Sequence, residues 1–165
     1  MLSADQALDL ARVLPGSWTV RATNFPMWLG GDRLNPRFTY GLLGDAPLTL
    51  SDDVSYSTRE GVEKHVIGTD RWSRDTFVWR GKGLLNLAKS RWTIVGASED
   101  GSALTIRFEP TVATPAGIDV IVREGVDLPE LRTTVAHNTD RFGLTAEDFG
   151  TLTWLAPVML PAPRP

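Results

Sequence analysis

The chain contains no cysteine. That excludes disulfides and every thiolate metal site. It has two histidines, His65 and His137, with neither His-x-His nor His-Glu-x-x-His spacing, so no metal site is expected. Positive charge is not in excess: 17 Lys and Arg stand against 20 Asp and Glu, a net charge of −3, which argues against a general nucleic-acid footprint. No run of like charges forms a tail or a polybasic anchor. No stretch approaches the roughly 18 apolar residues of a membrane span. The first residues carry acids where a secretory signal carries lysines, and they lack a long apolar core. These absences predict a cytoplasmic protein with no cofactor, no nucleic-acid partner and no membrane span.

What is present is aromatic and apolar. The 165 residues are 42% hydrophobic and include six tryptophans. That length suits one domain, since domains usually run about 100–150 residues. The segments expected within it are a helix over 3–14, a barrel over 16–124, C-terminal helices over 127–155 and a tail over 156–165. Ser3 and Gln6 have capping-box spacing, and Ala7, Leu10, Ala11 and Leu14 repeat at helical period before Pro15-Gly16 stops the segment. The period then shortens to that of strands. Eight candidate strands follow: 18–22, 37–42, 54–57, 64–72, 76–81, 90–96, 103–109 and 118–123. Glu99-Asp100-Gly101 is a strong hairpin signal. Such a series predicts an antiparallel meander, and about eight strands is where a small barrel closes and loses its exposed edges. Asp127 with Glu130, then Leu128, Leu131, Val135 and Phe142, predict a helix ended by Gly143. Thr145 and Asp148 cap a second, with Leu144 and Phe149 placed as a hydrophobic staple. The proline-rich end from Pro157 reads as an extended or frayed tail. The fold class is therefore mainly β: an eight-stranded antiparallel up-and-down barrel with a short N-terminal helix and C-terminal helices.

This order, with Gly16-Ser17-Trp18 opening the first strand, resembles the calycins, that is, the lipocalins and fatty-acid-binding proteins. The resemblance implies that Trp18 packs over a closed barrel end beneath an arginine from the last barrel region, for which Arg123 is the candidate. The chain also resembles small lipocalin-like proteins of bacteria and fungi. That likeness rests on Pro26-Met27-Trp28, Trp79-Arg80-Gly81-Lys82-Gly83, Ser90-Arg91-Trp92, Phe108-Glu109 and Thr114-Pro115-Ala116-Gly117-Ile118-Asp119. It implies a fold and no reaction. The signal and disulfides of secreted lipocalins are missing, as is a Thr-Asp-Tyr motif before the seventh strand, so secreted-carrier biology is not carried over.

No Gly-x-Ser-x-Gly elbow or phosphate loop appears. Arg80-Gly81-Lys82-Gly83 reads as a strand end with a glycine turn, or as a cationic lip for an anionic head group. Strand alternation sets the larger question. Phe77 and Trp79 oppose Val78 and Arg80. Leu104, Ile106 and Phe108 oppose Thr105, Arg107 and Glu109. Ile118, Val120 and Val122 oppose Asp119, Ile121 and Arg123. If the apolar sets line the lumen, the cavity is greasy. If polar sets point inward, it holds ionisable groups whose burial shifts their pKa values. Trp28 lies in the first long loop, as a mobile lid or a packed flap. Trp72, Trp79 and Trp92 are core or cavity wall, and Trp154 is expected to dock a helix on the barrel.

The expected function is binding of a small apolar or amphipathic molecule by an intracellular carrier or sensor, monomeric or homodimeric. The expected ligand contacts are Trp28, Tyr40, Tyr56, Trp72, Trp79, Arg80, Trp92 and Phe108. The alternative is a cofactor-free isomerase, cyclase or decarboxylase using Arg80, Arg107, Glu109, Asp119 and Tyr56, with the arginines holding an anion and a carboxylate as base. A third reading borrows a histidine as axial ligand for haem.

Overall fold

The computed structural model describes residues 4–83 and 89–162. In chain order the elements are α1 (Ala4–Val13), β1 (Gly16–Thr23), α2 (Pro26–Leu29), β2 (Leu34–Asp45), β3 (Leu48–Ser57), β4 (Glu63–Ser73), β5 (Thr76–Gly81), β6 (Lys89–Ala97), β7 (Ala103–Phe108), β8 (Gly117–Arg123), α3 (Leu131–His137), α4 (Ala146–Thr151) and β9 (Thr153–Trp154). Strands β2 to β8 pair in sequence order, β8 pairs with β1, and β1 pairs with β2. The result is a closed eight-stranded antiparallel up-and-down barrel, with β9 added at the edge of β1 through Ala22 and Thr23. Ser3, the expected cap of the first helix, and residues 163–165 of the tail lie outside the described residues.

Strand parity shows which residues point inward. Register pairs Leu50 with Leu42, Asp52 with Tyr40 and Val54 with Phe38. Leu48, Leu50, Asp52, Val54 and Tyr56 therefore form one inward row on β3. The strand starts at Leu48, ahead of the 54–57 expected from the sequence, and so takes in Asp52 and Asp53, a residue type depleted in strands. On β5 and β7 the apolar sets point inward: Phe77, Trp79, Leu104, Ile106 and Phe108 all belong to the inner core. On β8 the order reverses. Asp119 pairs with Ile106, and Ile121 with Leu104, so the inward set is Asp119, Ile121 and Arg123. Ile118, Val120 and Val122 point outward, where they meet Leu131, Val135, Phe142, Leu144 and Leu152 in a second core.

That second core explains the C-terminal helices. They cover the outside of β8, β1 and β7, so both faces of β8 are dry. The first is shorter than the sequence suggests: it starts after Glu130 rather than Asp127 and ends at Asn138. Thr145 and Asp148 form a capping box at α4. Trp154 sits on β9 against Phe149, ring centroids 5.9 Å apart. The chain then runs on extended, and it is docked: Leu155 N–H donates to the Arg21 carbonyl, and the Asn35 side chain bonds both N–H and carbonyl of Val158.

Close approach makes Gly96 essential to this packing. A Cβ there would lie 2.2 Å from the Phe142 carbonyl carbon, and that stretch is tied to β6 by Ala97 N–H donating to the Arg141 carbonyl. Gly96→Ala must push backbone away from backbone. It is expected to cost about 1–3 kcal/mol, as for other overpacked cores, read as a lower denaturation midpoint. An unchanged midpoint would show that the outer core is slack.

Candidate functional site

The two ends of the barrel differ. At one end Trp18 is fully buried. Its indole N–H donates to the Leu14 carbonyl at 2.9 Å, and the Arg123 guanidinium stacks 4.3 Å above its ring. Arg123 also donates to the carbonyls of Val13 and Pro15. This end is shut by α1 and filled upward by Leu48, Leu50, Leu104 and Ile121. A stacked aromatic layer lies above: Phe77 on Trp92 at 4.5 Å and Trp92 on Tyr40 at 5.7 Å.

Beyond that layer the barrel holds a cavity of about 320 Å³. Aromatic rings make its wall: Phe25, Trp28, Phe38, Tyr40, Tyr56, Trp79, Trp92 and Phe108. Met27, Val54, Val66 and Ala113 add aliphatic surface, and Lys89, Ser90, Thr111 and Thr114 lie at the rim. Two acids complete the lining, Asp52 and Asp119. The short helix α2 closes part of the mouth. Pro26 starts it without a side-chain cap, and its buried Trp28 packs on Phe38 and Tyr56 at 6.4 and 6.1 Å. Trp79 reaches over Gly68, where a Cβ would be 2.3 Å from the indole nitrogen. Gly68 stands opposite Asp52 in the β3–β4 register, so the missing side chain is what lets Trp79 lie against the cavity floor.

Among the described residues three carboxyl groups are buried inside the barrel: Asp52, Asp70 and Asp119. None of them forms an ion pair among the described residues. Asp52 and Asp70 lie diagonally across β3 and β4, near enough that each acts on the other's ionisation. Burial, then the charge of Asp70, pushes the Asp52 carboxyl well above the usual carboxylate range. Burial raises Asp70 to about 6, opposed by the Trp92 indole N–H, which donates at 2.7 Å, and by Asp52. Asp52 Oδ1 and Asp70 Oδ2 are buried without a hydrogen-bond partner, and a proton on one carboxyl would give the other a donor. Like charges this close cannot both ionise.

Asp119 stands apart from the pair. Burial pushes its carboxyl up to about 7, against the Thr23 hydroxyl and the Trp28 indole, which favour the charged form. Thr23 donates to Oδ1 at 2.6 Å, while Oδ2 is buried without a partner. Burial and the negative field of Asp52, Asp70 and Asp119 lift the Tyr40 phenol well above its ordinary value.

Of the residues expected at a ligand, Trp28, Tyr40, Tyr56, Trp79, Trp92 and Phe108 border the cavity. Trp72 does not: it packs on Phe77 at 4.7 Å and donates to the Arg74 carbonyl in the β4–β5 hairpin. Arg80 is exposed on the outer face of β5. Of the residues expected in a catalytic role, Asp119 and Tyr56 reach the cavity. Arg107 points outward to Asp148 at 3.0 Å, and Glu109 is exposed beyond the end of β7. His65 lies 2.9 Å from Asp53 at the surface, and neither histidine lines the cavity. Asp52 and Asp70 were not anticipated. The signal for Asp52 is the alternation Leu48, Leu50, Asp52, Val54, Tyr56, visible once the strand is extended past two adjacent acids; Asp70, on β4, has no such signal.

No family model matches this chain, and no curated protein does. Among solved structures the chain is similar to lobster apocrustacyanin A1, with a TM-score of 0.64 and 8% identity, covering 94% of this chain and 84% of that one. It is similar to the siderocalin Ex-FABP, with a TM-score of 0.60 and 15% identity over 89% and 95%. Apocrustacyanin C2 gives 0.59 and 10% over 94% and 87%. The fold is that of the lipocalins.

Proposed function

We propose that the protein is an intracellular lipocalin-like carrier or sensor that binds one small amphipathic molecule in the open half of its barrel. The cavity is the observation that carries this. Its 320 Å³ lies at the small end of the roughly 300–1,000 Å³ of ligand pockets. A wall made mainly of aromatic rings around two acids suits a compact, ring-bearing molecule better than a long acyl chain. The absence of cysteine supports a reducing compartment. The siderocalin relative is described as functioning through dual ligand specificities, which is consistent with a cavity of this kind.

Trp28, Trp79 and Trp92 all line the cavity, so a bound ligand reports on itself. Titration with a panel of small aromatic and alicyclic metabolites is expected to quench or shift tryptophan emission in a saturable way, with one-to-one complexes in native mass spectrometry. Trp28→Ala is expected to weaken such binding by about tenfold or more, the loss of an aromatic anchor worth at least about 1.4 kcal/mol. A panel that leaves emission unchanged and yields no complex would refute the reading.

Catalysis without a cofactor has one observation in its favour: carboxyls with raised proton affinity beside a cavity, an arrangement suited to acid–base work. The arginines required to hold an anion point outward. Turnover of a bound ligand, lost in Asp52→Asn with binding retained, would favour it.

A further inference from the structure

We propose that the molecule held in this cavity is a small protonated organic amine on a flat cyclic body, with Asp119 as its counter-ion. The inference rests on the cavity being a binding site and names the chemistry of what it takes.

The argument is one of unmet bonding. Asp119 is fully buried, lines the cavity and leaves Oδ2 without a donor. Buried polar groups in folded proteins are nearly always paired, and each exception calls for an explanation. The Asp52–Asp70 pair adds further carboxyl oxygens on the β3–β4 wall. None of the three acids has an ion pair among the described residues: Arg123 is held on Trp18 at the closed end, and Lys89, at the cavity rim, pairs with none of them. A neutral apolar ligand offers Oδ2 no donor, leaving the carboxyl only its own proton. An anionic ligand would add like charge. An ammonium group brings N–H donors and the missing charge together, and the surrounding Trp and Tyr rings attract cations through their faces. The volume leaves room for one or two rings behind the amine.

The groups facing Asp119 are consistent with this role. Thr23 on β1 holds Oδ1, and the Trp28 indole lies beside it from α2. Tyr40 on β2, Asp52 on β3 and Asp70 on β4 share its field. Tyr56 on β3 and Lys89 on β6 border the same cavity. Arg33 is engaged outside, 5.3 Å over the Tyr56 ring. Pairing with an ammonium requires Asp119 to give up its proton, so binding and proton release are coupled.

The test compares three probes of one shape on the full chain: tryptamine, its alcohol tryptophol and the anion indole-3-acetate, followed by calorimetry at pH 6 and pH 8. Tryptamine is expected to bind at least tenfold more tightly than either analogue at pH 8. Its affinity is expected to fall about tenfold at pH 6, as Asp119 takes up its proton, while that of tryptophol stays level. Asp119→Asn is expected to bring tryptamine down to the level of tryptophol, with a cooperative denaturant transition as proof that the variant folds. Equal or tighter binding of tryptophol or indole-3-acetate would overturn the amine and leave the cavity standing as a binding site. Failure of all three probes, together with a silent metabolite panel, would overturn both.

Discussion

The protein is expected to be more stable at pH 5 than at pH 8, the reverse of ordinary acid denaturation. The cause is the carboxyl group of Asp119. In the unfolded chain it titrates near the usual ~3.9; in the folded barrel burial pushes it up to about 7. Between these values the folded state binds more protons than the unfolded state. Stability therefore falls as pH rises from about 4 to about 7 and is level above that. From pH 5 to pH 8 the loss from this one group is on the order of 3 kcal/mol, at about 1.4 kcal/mol per pH unit over the two units below its folded pKa. Asp70, raised to about 6, and Asp52, also raised, act in the same direction. Asp148 and Asp100, which their hydrogen bonds hold below the usual range, oppose it only in more acidic solution. Denaturant midpoints measured from pH 4 to 8 check this. Asp119→Asn keeps an oxygen to accept from Thr23 and removes the ionisation, so its advantage over the parent should grow from near nothing at pH 4 to several kcal/mol at pH 8. Parallel curves for the two proteins would mean that Asp119 titrates normally.

The same residue shows where sequence reading stops. Alternation along β8 marks Ile118, Val120 and Val122 as one face and Asp119, Ile121 and Arg123 as the other, and ordinarily the apolar face is the inner one. Here the outer face is covered by α3, α4 and the turns between them, so it is apolar for a reason the strand itself does not contain. On β5, whose outer face carries the exposed Arg80, alternation and orientation agree. The capping box at Thr145 and Asp148 was legible because it is local, as was Trp18, which sits in a short pattern that opens the first strand. The Asp52–Asp70 pair was not legible: it requires the register between two strands, and Asp52 lies on a part of β3 ahead of the expected 54–57. Trp72, expected in the same wall as Trp79 and Trp92, was displaced by its position along the barrel axis, which a face pattern does not give.

Loss of the closed end should be the most damaging single change. Trp18→Ala removes a fully buried indole, and truncation of such side chains costs about 3–5 kcal/mol. Domains of this size are stable by only about 5–15 kcal/mol, so a large share of the margin goes with it. The position carries more than volume. The indole N–H ties β1 to the end of α1 through Leu14, and the ring is the platform on which Arg123 lies. Arg123 in turn bonds the Val13 and Pro15 carbonyls, groups at and just past the end of α1, where helix carbonyls lack a partner within the helix. Arg123→Lys keeps the charge but loses the planar fork that reaches two carbonyls while stacked; it is expected to cost about 1–3 kcal/mol. The two residues act through one another, so the double variant should lose less than the sum of the single losses, with a coupling of about 1 kcal/mol or more in a double-mutant cycle. Strict additivity would show that Trp18 fills the barrel end and Arg123 pins α1 as separate events. Because the cavity lies beyond the stacked Phe77–Trp92–Tyr40 layer, Arg123→Lys is also expected to leave ligand affinity unchanged while lowering the unfolding midpoint. That separates the end of the barrel that holds the fold from the end that holds the ligand.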